Sequence, residues 1–306
     1  MQRKNLLITG TSGFVGKSLL PYLEANVGAI FPADLRDRTL YAKTLVNSDV
    51  VIHLAGKAHD TRRVQDLQAY IDTNYSLTRE VFDLFLKSQA GVFIFMSSVK
   101  AVADHPGDRN VVENDFPEPH TPYGRSKLLA EEYLLGQQLP DEKKLFILRP
   151  CMIHGPGNKG NLNLLYNIVR KGIPYPLAAF DNKRSFLSID NLCFIIGQLT
   201  ERHDIPGGIY HLADDKPLST NRILEIMAEE LSMKPRFWKL NKAVIKFVAY
   251  LGDLLPLPIN SERLQKLTEN YVVSNSKILN ALNKALPLTS EEGLRSTIQS
   301  FVHEHR

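Results

Sequence analysis

Cysteine is scarce: the 306 residues hold two, Cys151 and Cys193, both within apolar stretches. Two thiols so placed exclude a disulfide framework and point to a reducing compartment, the cytoplasm. Long hydrophobic runs are missing as well. No uncharged apolar stretch approaches the roughly 20 residues that cross a bilayer, so no membrane span is expected. Met1–Asn5 leads directly into an apolar run, and no signal peptide is expected there. A dominant charge is absent too: 37 Lys and Arg face 33 Asp and Glu, a formal net charge of +4. That excess is too small to argue for nucleic acid and suits an anionic nucleotide. No pair among His53, His59 and His211 has metal-ligand spacing on an expected helix, so no metal site is expected and the rings read as structural or pocket-lining. Neither an internal repeat nor a low-complexity tract interrupts the chain. With 23% charged and 43% apolar residues, its composition is that of a globular protein with a sizeable core, in one large domain or two intimate ones.

What is present begins with a glycine loop. Leu6–Thr9 reads as a short buried parallel strand, and Phe14–Ala25 as a helix with Leu19, Leu20 and Leu23 at helical spacing. Between them lies Gly10-Thr11-Ser12-Gly13-Phe14-Val15-Gly16. In such a turn Gly10 permits the tight bend, Gly13 lets backbone approach a phosphate, and Gly16 lets helix and strand pack closely. The helix N-terminus then offers unpaired N–H groups to a pyrophosphate. A second strand, Ala29–Phe31, ends at Asp34, 24 positions after Gly10. A carboxylate there meets the adenosine ribose hydroxyls and repels a 2′-phosphate, so NAD is expected. Arg36, able to pair with that phosphate, leaves NADP open. Val50–Leu54, Val92–Met96 and Leu145–Leu148 are further short apolar strands. The pattern is α/β, a doubly wound parallel sheet, and its ligands belong outside the carboxyl ends of the strands. Ala55-Gly56, Ser97-Ser98 and Arg149-Pro150 stand at such ends and are expected in one crevice.

Tyr123 and Lys127, one helical turn apart, project to one face. A free phenol titrates near 10 and is a poor base at neutral pH. An adjacent ammonium favours the phenolate and lowers that value. Ser98 then shares the oxygen from which a proton is taken. Pro122 suits a helix start, with Thr121 as its cap.

With these residues in order, the chain resembles an extended short-chain dehydrogenase/reductase of the NAD-dependent sugar-nucleotide epimerase/dehydratase family over nearly its whole length. The resemblance also takes in His53-Leu54-Ala55-Gly56, Asn74, Arg149-Pro150, Gly155-Pro156-Gly157 and Arg184–Asp190. It implies a Rossmann-like cofactor domain over 1–150, with returning segments near 186–213, and a smaller, mainly substrate-binding domain over 151–306. By it, Ser98, Tyr123 and Lys127 are catalytic. Gly10, Gly13, Phe14, Val15, Gly16, Asp34, Leu54, Ala55, Gly56, Asn74 and Pro150 surround the cofactor with Tyr123 and Lys127. Ser98, Lys100, Asn161 and Arg184 meet the substrate, Arg184 at its diphosphate. The helices around Gln65–Leu86 and Ser126–Gln138 would form a homodimer interface.

Departures from the family pattern narrow the reaction. The dehydratases place an Asp-Glu pair after the catalytic hydroxyl residue, where this chain has Val99 and Lys100. Many 4-epimerases carry Tyr-Phe-Asn where this chain has Pro150-Cys151-Met152. The expected activity is NAD-dependent epimerisation at C4 of a UDP-hexose or UDP-N-acetylhexosamine through a 4-keto intermediate. The rival is an NAD(P)H-dependent 4-ketoreductase of a UDP-4-keto-6-deoxy-N-acetylhexosamine in surface-polysaccharide synthesis. A non-catalytic nucleotide-binding protein is the minor alternative. His154 reads either as facing the substrate or as packing. Ala243–Leu257 is apolar and amphipathic, and reads as a packed helix in preference to one that touches a membrane or partner.

Overall fold

The computed structural model describes residues 3–35, 43–57, 67–158, 160–254 and 260–304. Arg36, His59 and Gln65 lie outside them. Six parallel strands form the central sheet in the order β2-β1-β3-β4-β6-β9: β1 (Leu6–Thr9), β2 (Ile30–Ala33), β3 (Val50–His53), β4 (Val92–Met96), β6 (Lys144–Pro150) and β9 (Gly208–Leu212). Two short pairs stand outside it: β5 (Asn110–Val111) with β10 (Val272–Val273), and β7 (Met152–His154) with β8 (Phe186–Ser188).

Strands β1, β3 and β4 are buried on both faces, which is why they read as unbroken apolar runs, whereas the edge strand β2 is partly exposed. Alternate side chains enter different cores. Leu6, Ile8, Val50, Ile52, Ile94 and Phe146 join one core, which receives Leu19 and Leu23 of α1 (Phe14–Glu24) and Ile195 and Ile196 of the helix Ile189–Glu201. Leu7, Val51, Phe93, Phe95 and Ile147 join the other, beneath Phe82 and Phe85 of the helix Leu77–Lys87 and Ala130 and Leu134 of the helix Pro122–Leu135. A third core gathers Leu162 and Tyr166, Ile226 and Met227, and Ile298 and Phe301 from the helices Asn161–Arg170, Thr220–Glu230 and Ser290–Glu304.

The register aligns the carboxyl ends. Thr9 pairs with Ala33 on one side and His53 on the other, so Gly10, Asp34 and Leu54 leave the sheet at one level. β1 lies between β2 and β3, which makes this the point where the winding reverses.

His53 locks that point. Its ring is fully buried between two threonines: Nδ1 lies 2.8 Å from Thr9 Oγ1 and Nε2 lies 3.0 Å from Thr78 Oγ1. The Thr78 hydroxyl donates to the Asn74 carbonyl at 2.6 Å, so it accepts from His53 Nε2. Thr9 Oγ1 accepts from the Ala55 N–H at 3.1 Å and donates to Nδ1. The ring is neutral, and burial, helped by the charge of Lys127, pushes its pKa down to about 3. The stability tied to this neutral ring is complete above about 6.5 and is lost as pH falls toward the folded value. We expect His53→Asn to lower stability by about 2 kcal/mol at pH 7 through its broken hydrogen bonds. Its urea midpoint should also fall less than the wild-type midpoint between pH 7 and pH 5; equal falls would rule out the neutral-ring lock.

Candidate functional site

A cavity of about 490 Å³ opens at the carboxyl ends of the sheet. One wall is the glycine loop, with Gly10, Gly13, Phe14, Val15 and Gly16, joined by Leu54 and Gly56 after β3. Gly10 has φ +70°, and a Cβ on it would lie 2.6 Å from the Ala55 nitrogen. A Cβ on Gly16 would lie 2.5 Å from the Gly10 carbonyl oxygen. Neither position accepts a side chain. Gly13 is the N-cap of α1, and no side chain caps that helix. Its first-turn N–H groups are therefore available to an anion, and the three glycines leave it room to approach. A dinucleotide pyrophosphate fits this cradle. Asp34 is exposed at the level of Gly10, one residue past β2. Ala55 is turned to a structural task by its hydrogen bond to Thr9.

Across the cavity stand Ser98, Tyr123 and Lys127. Ser98 follows β4 by two residues and caps a short 3-10 turn, accepting from the Lys100 N–H at 3.2 Å. Tyr123 and Lys127 come from the helix Pro122–Leu135, which begins as its proline and cap require. Thr121 Oγ1 accepts from the Gly124 N–H at 3.2 Å and donates to Asp104 Oδ1 at 2.9 Å. Burial pushes the Asp104 carboxyl up, but the Thr121 and His120 N–H groups and the Thr121 hydroxyl outweigh it, leaving the carboxyl below its ordinary value. Asp104 thus anchors the start of the helix Pro122–Leu135, a role that nothing in its local sequence marks.

The titration of the pair differs from the sequence expectation. Burial raises the Tyr123 phenol, the Ser98 hydrogen bond opposes this, and Tyr70 adds to the rise. Lys127 is 4% exposed and donates from Nζ to the Met96 carbonyl at 2.8 Å, over the Phe95 ring. Burial lowers it to about 8, against the charge of Glu131. The lysine's charge is thus retained at neutral pH, while the phenol lies above its usual range because desolvation wins.

Asn74, expected at the cofactor, is fully buried and its amide is engaged by protein. Oδ1 accepts from the Lys57 N–H at 2.7 Å, while Nδ2 donates to the Lys57 carbonyl at 3.1 Å and to Ser126 Oγ at 2.9 Å. It sits in a π-helical turn, Ile71–Ser76, and links the loop after β3 to the helix Pro122–Leu135. Behind it lies a buried ion pair. Arg149 Nη2 reaches Glu131 Oε2 at 2.5 Å, and Ser97 Oγ also donates to Glu131.

The cavity is also lined by Lys100 and Arg184, expected at the substrate, and by Pro150, expected at the cofactor. Lys100 Nζ donates to the Asp104 carbonyl at 2.7 Å and lies 4.5 Å from the centre of the Tyr271 ring. Arg184 has its pKa lowered by burial, against the raising charge of Glu269. Asn161, the expected substrate contact, starts the helix Asn161–Arg170 exposed and outside the cavity wall; Asn158 lines the wall instead. His154 is fully buried, with Nδ1 2.8 Å from Thr297 Oγ1, which decides for packing. Lys57 and Tyr271 also line the cavity and escaped the sequence reading. Lys57 had a signal, since it follows Gly56 directly. Tyr271 had none, because it arrives from more than 140 residues past Tyr123.

The comparisons agree with this geometry. The model of the NAD dependent epimerase/dehydratase family matches residues 6–213. A UDP-glucose 4-epimerase of Vibrio cholerae is 29% identical, over 98% of this chain and 96% of its own. An N-acetyl-alpha-D-glucosaminyl-diphospho-ditrans,octacis-undecaprenol 4-epimerase of Escherichia coli O157:H7 is 27% identical over the same shares, 98% and 96%. Among solved structures, a UDP-glucuronic acid 4-epimerase from Bacillus cereus in complex with NAD superimposes with a TM-score of 0.74 at 19% identity, covering 99% of this chain and all of that one. The chain belongs to the NAD dependent epimerase/dehydratase family.

Proposed function

We propose that this chain inverts C4 of a hexose carried on a diphosphate, with NAD as its bound cofactor and a UDP-sugar as its ordinary substrate. The single observation that carries this reading is the composition of the cavity wall. Lys57, Lys100, Lys127 and Arg184 line it together with Ser98 and Tyr123, and among the described residues no Asp or Glu does. Such a wall favours a dianionic diphosphate beside one hydroxyl chemistry. The full-length similarity to two 4-epimerases supports it, one named for a nucleotide carrier and one for a polyprenyl diphosphate carrier.

The glycine loop and α1 would hold the pyrophosphate, Asp34 the adenosine ribose, and Lys127 the ribose beside the reacting end. NAD supplies a hydride acceptor and donor at C4. Tyr123 takes the O4 proton and later returns it, and Ser98 holds O4 by a hydrogen bond. The Ser98 hydrogen bond offsets part of the burial that makes the phenolate costly, and the Lys127 cation lines the same cavity. Arg184 grips the diphosphate as a fork. The sheet half would carry the cofactor and the helices packed around Tyr166 and Met227 the sugar. We place the protein in the cytoplasm, where its two buried free thiols stay reduced. A homodimer through the helices Leu77–Lys87 and Pro122–Leu135 accounts for the exposed Leu129 and Leu135.

Incubation with UDP-N-acetylglucosamine, UDP-glucose or N-acetylglucosaminyl diphosphopolyprenol, without added cofactor, should give the galacto isomer by NMR. Tyr123→Phe should reduce that turnover about 10²–10⁴-fold and keep the nicotinamide cofactor bound. Undiminished turnover would remove Tyr123 from the mechanism. Reduction of a 4-keto-6-deoxy UDP-sugar by added NAD(P)H, with no isomer from the first three compounds, would replace epimerisation by ketoreduction.

Arg184→Met should raise KM about 10- to 100-fold with a smaller change in kcat, as expected for a charged hydrogen bond to the diphosphate. A change confined to kcat would contradict that placement. Turnover should fall as pH rises through about 8, where Lys127 loses its charge. Lys127→Arg keeps its charge and should lose this alkaline limb. A limb that persists in the variant belongs to another group.

A further inference from the structure

The helix Lys242–Leu254 is held to the body by its buried Ile245 and Ala249. This differs from the packed helix expected from sequence, because its larger apolar face points away. Val244 is 57% exposed, Phe247 61%, Tyr250 57% and Leu254 68%, with Val248 beside them. Val244, Phe247, Val248 and Leu251 recur at the spacing of one helical face. The segment leading into the helix exposes Trp238 and Leu240. Among the described residues nothing covers these side chains. Single exposed apolar residues need no explanation, whereas a continuous aromatic and aliphatic face does.

Charge around this face is one-sided. Between 233 and 254 the chain has Lys234, Arg236, Lys239, Lys242 and Lys246 against Asp253 alone, an excess equal to the formal +4 of the whole chain. Lys242 lies over the Phe180 ring, 5.5 Å from its centre, which fixes it at the root of the helix. An apolar arc with exposed aromatics and a lysine border is the pattern of a helix that lies in the headgroup region of a lipid bilayer. Lysine stems can follow the apolar surface while their ammonium groups reach lipid phosphates. A two-fold contact between copies on this face would set the same five cations against each other, which disfavours self-association there. No helix among the described residues is long and apolar enough to cross a membrane, so the contact is with the surface.

We propose that the face of Lys242–Leu254 docks this chain on an anionic membrane surface, with Val244, Phe247, Val248 and Leu254 entering the interface and the basic residues of 234–246 meeting lipid phosphates. The inference rests on the surface alone and stands apart from the reaction proposed above.

The test is flotation of the full chain with vesicles of phosphatidylcholine, with and without 30% phosphatidylglycerol, the 30% being a working composition of roughly physiological anionic charge. Wild type should float with the anionic vesicles and much less with the neutral ones, and added salt should weaken the binding. The double variant Val244→Glu, Phe247→Glu should float at least about tenfold less, since charged groups replace side chains that enter the apolar layer. Both sites are solvent-facing, so the variant's thermal midpoint and NAD binding should match wild type, and these serve as the folding controls. A second variant, Lys239→Gln, Lys242→Gln, should lose anionic preference without any new charge in the arc. Failure of wild type to float with anionic vesicles would overturn the proposal, as would equal flotation of the first variant. A wild-type oligomer by light scattering that the first variant dissociates, without flotation of either, would assign the face to contact between copies.

Discussion

The geometry of the candidate site depends on one buried ion pair. Tyr123, Lys127 and Glu131 follow each other at intervals of four along one helix, so they form a single stripe facing the sheet. Glu131, at 1% exposure, anchors the far end of that stripe to Arg149 at the end of β6, and Ser97 at the end of β4 donates to the same carboxylate. The pair therefore fastens the helix Pro122–Leu135 to two strands at once. A buried pair of this kind contributes little net stability over an apolar substitute, yet loss of one partner leaves an uncompensated charge. Its value lies in position. It also supplies the negative charge that holds the Lys127 pKa up against burial.

The opposite wall uses neutral groups for the same end. Thr9, His53 and Thr78 connect β1, β3 and the helix Leu77–Lys87 through a chain in which each proton has one direction. Asn74 continues it to Lys57 and Ser126, and Ser126 Oγ returns a bond to the Tyr123 carbonyl at 2.8 Å. The glycine loop and the helix Pro122–Leu135 are thus two ends of one hydrogen-bonded path beneath the cavity. This gives a reason for the π-helical turn: its extra residue brings the Asn74 amide level with the β3 loop.

What the sequence made legible follows the range of the interactions. Strands β1, β3 and β4 could be read because parallel strands buried on both faces need unbroken apolar runs. Gly10 and Gly16 could be read because sterics within one loop demand them. Ser98, Tyr123 and Lys127 required only their positions at a strand end and one turn of helix. Tyr271 and Asp104 could not be read, since each acts through partners far along the chain and their own neighbours carry no pattern. For Asn74 the resemblance implies a place at the cofactor, and residue type does not show that its amide is occupied by Lys57 and Ser126. Asn161, which the resemblance gives to the substrate, stands outside the wall and Asn158 inside it, a difference set by the fold and not by residue type. The helix Lys242–Leu254 showed its apolar periodicity plainly, but periodicity does not say which apolar arc is buried.

The same cavity wall bears on the chemistry that the family name leaves open. Elimination of water from a 4-keto sugar needs a group to remove the C5 proton and an acid to protonate the departing hydroxyl. In the wall the residues after Ser98 are the buried Val99 and the cation Lys100, and the described lining holds no carboxyl group. Lys100 is drawn toward Tyr271 and the Asp104 carbonyl, which hold its ammonium group at the side of the cavity. Cys151, the remaining thiol in the wall, has its pKa raised by burial and by the Asp214 charge, so its thiolate is disfavoured. Tyr123 and Ser98 stand together in this wall, while Tyr271, the other phenol in the described lining, donates to the Ala103 carbonyl. With no carboxyl group in its described lining, the wall offers no Asp-Glu pair for the elimination step of a dehydration, and it fits the proposed oxidation and reduction at one carbon.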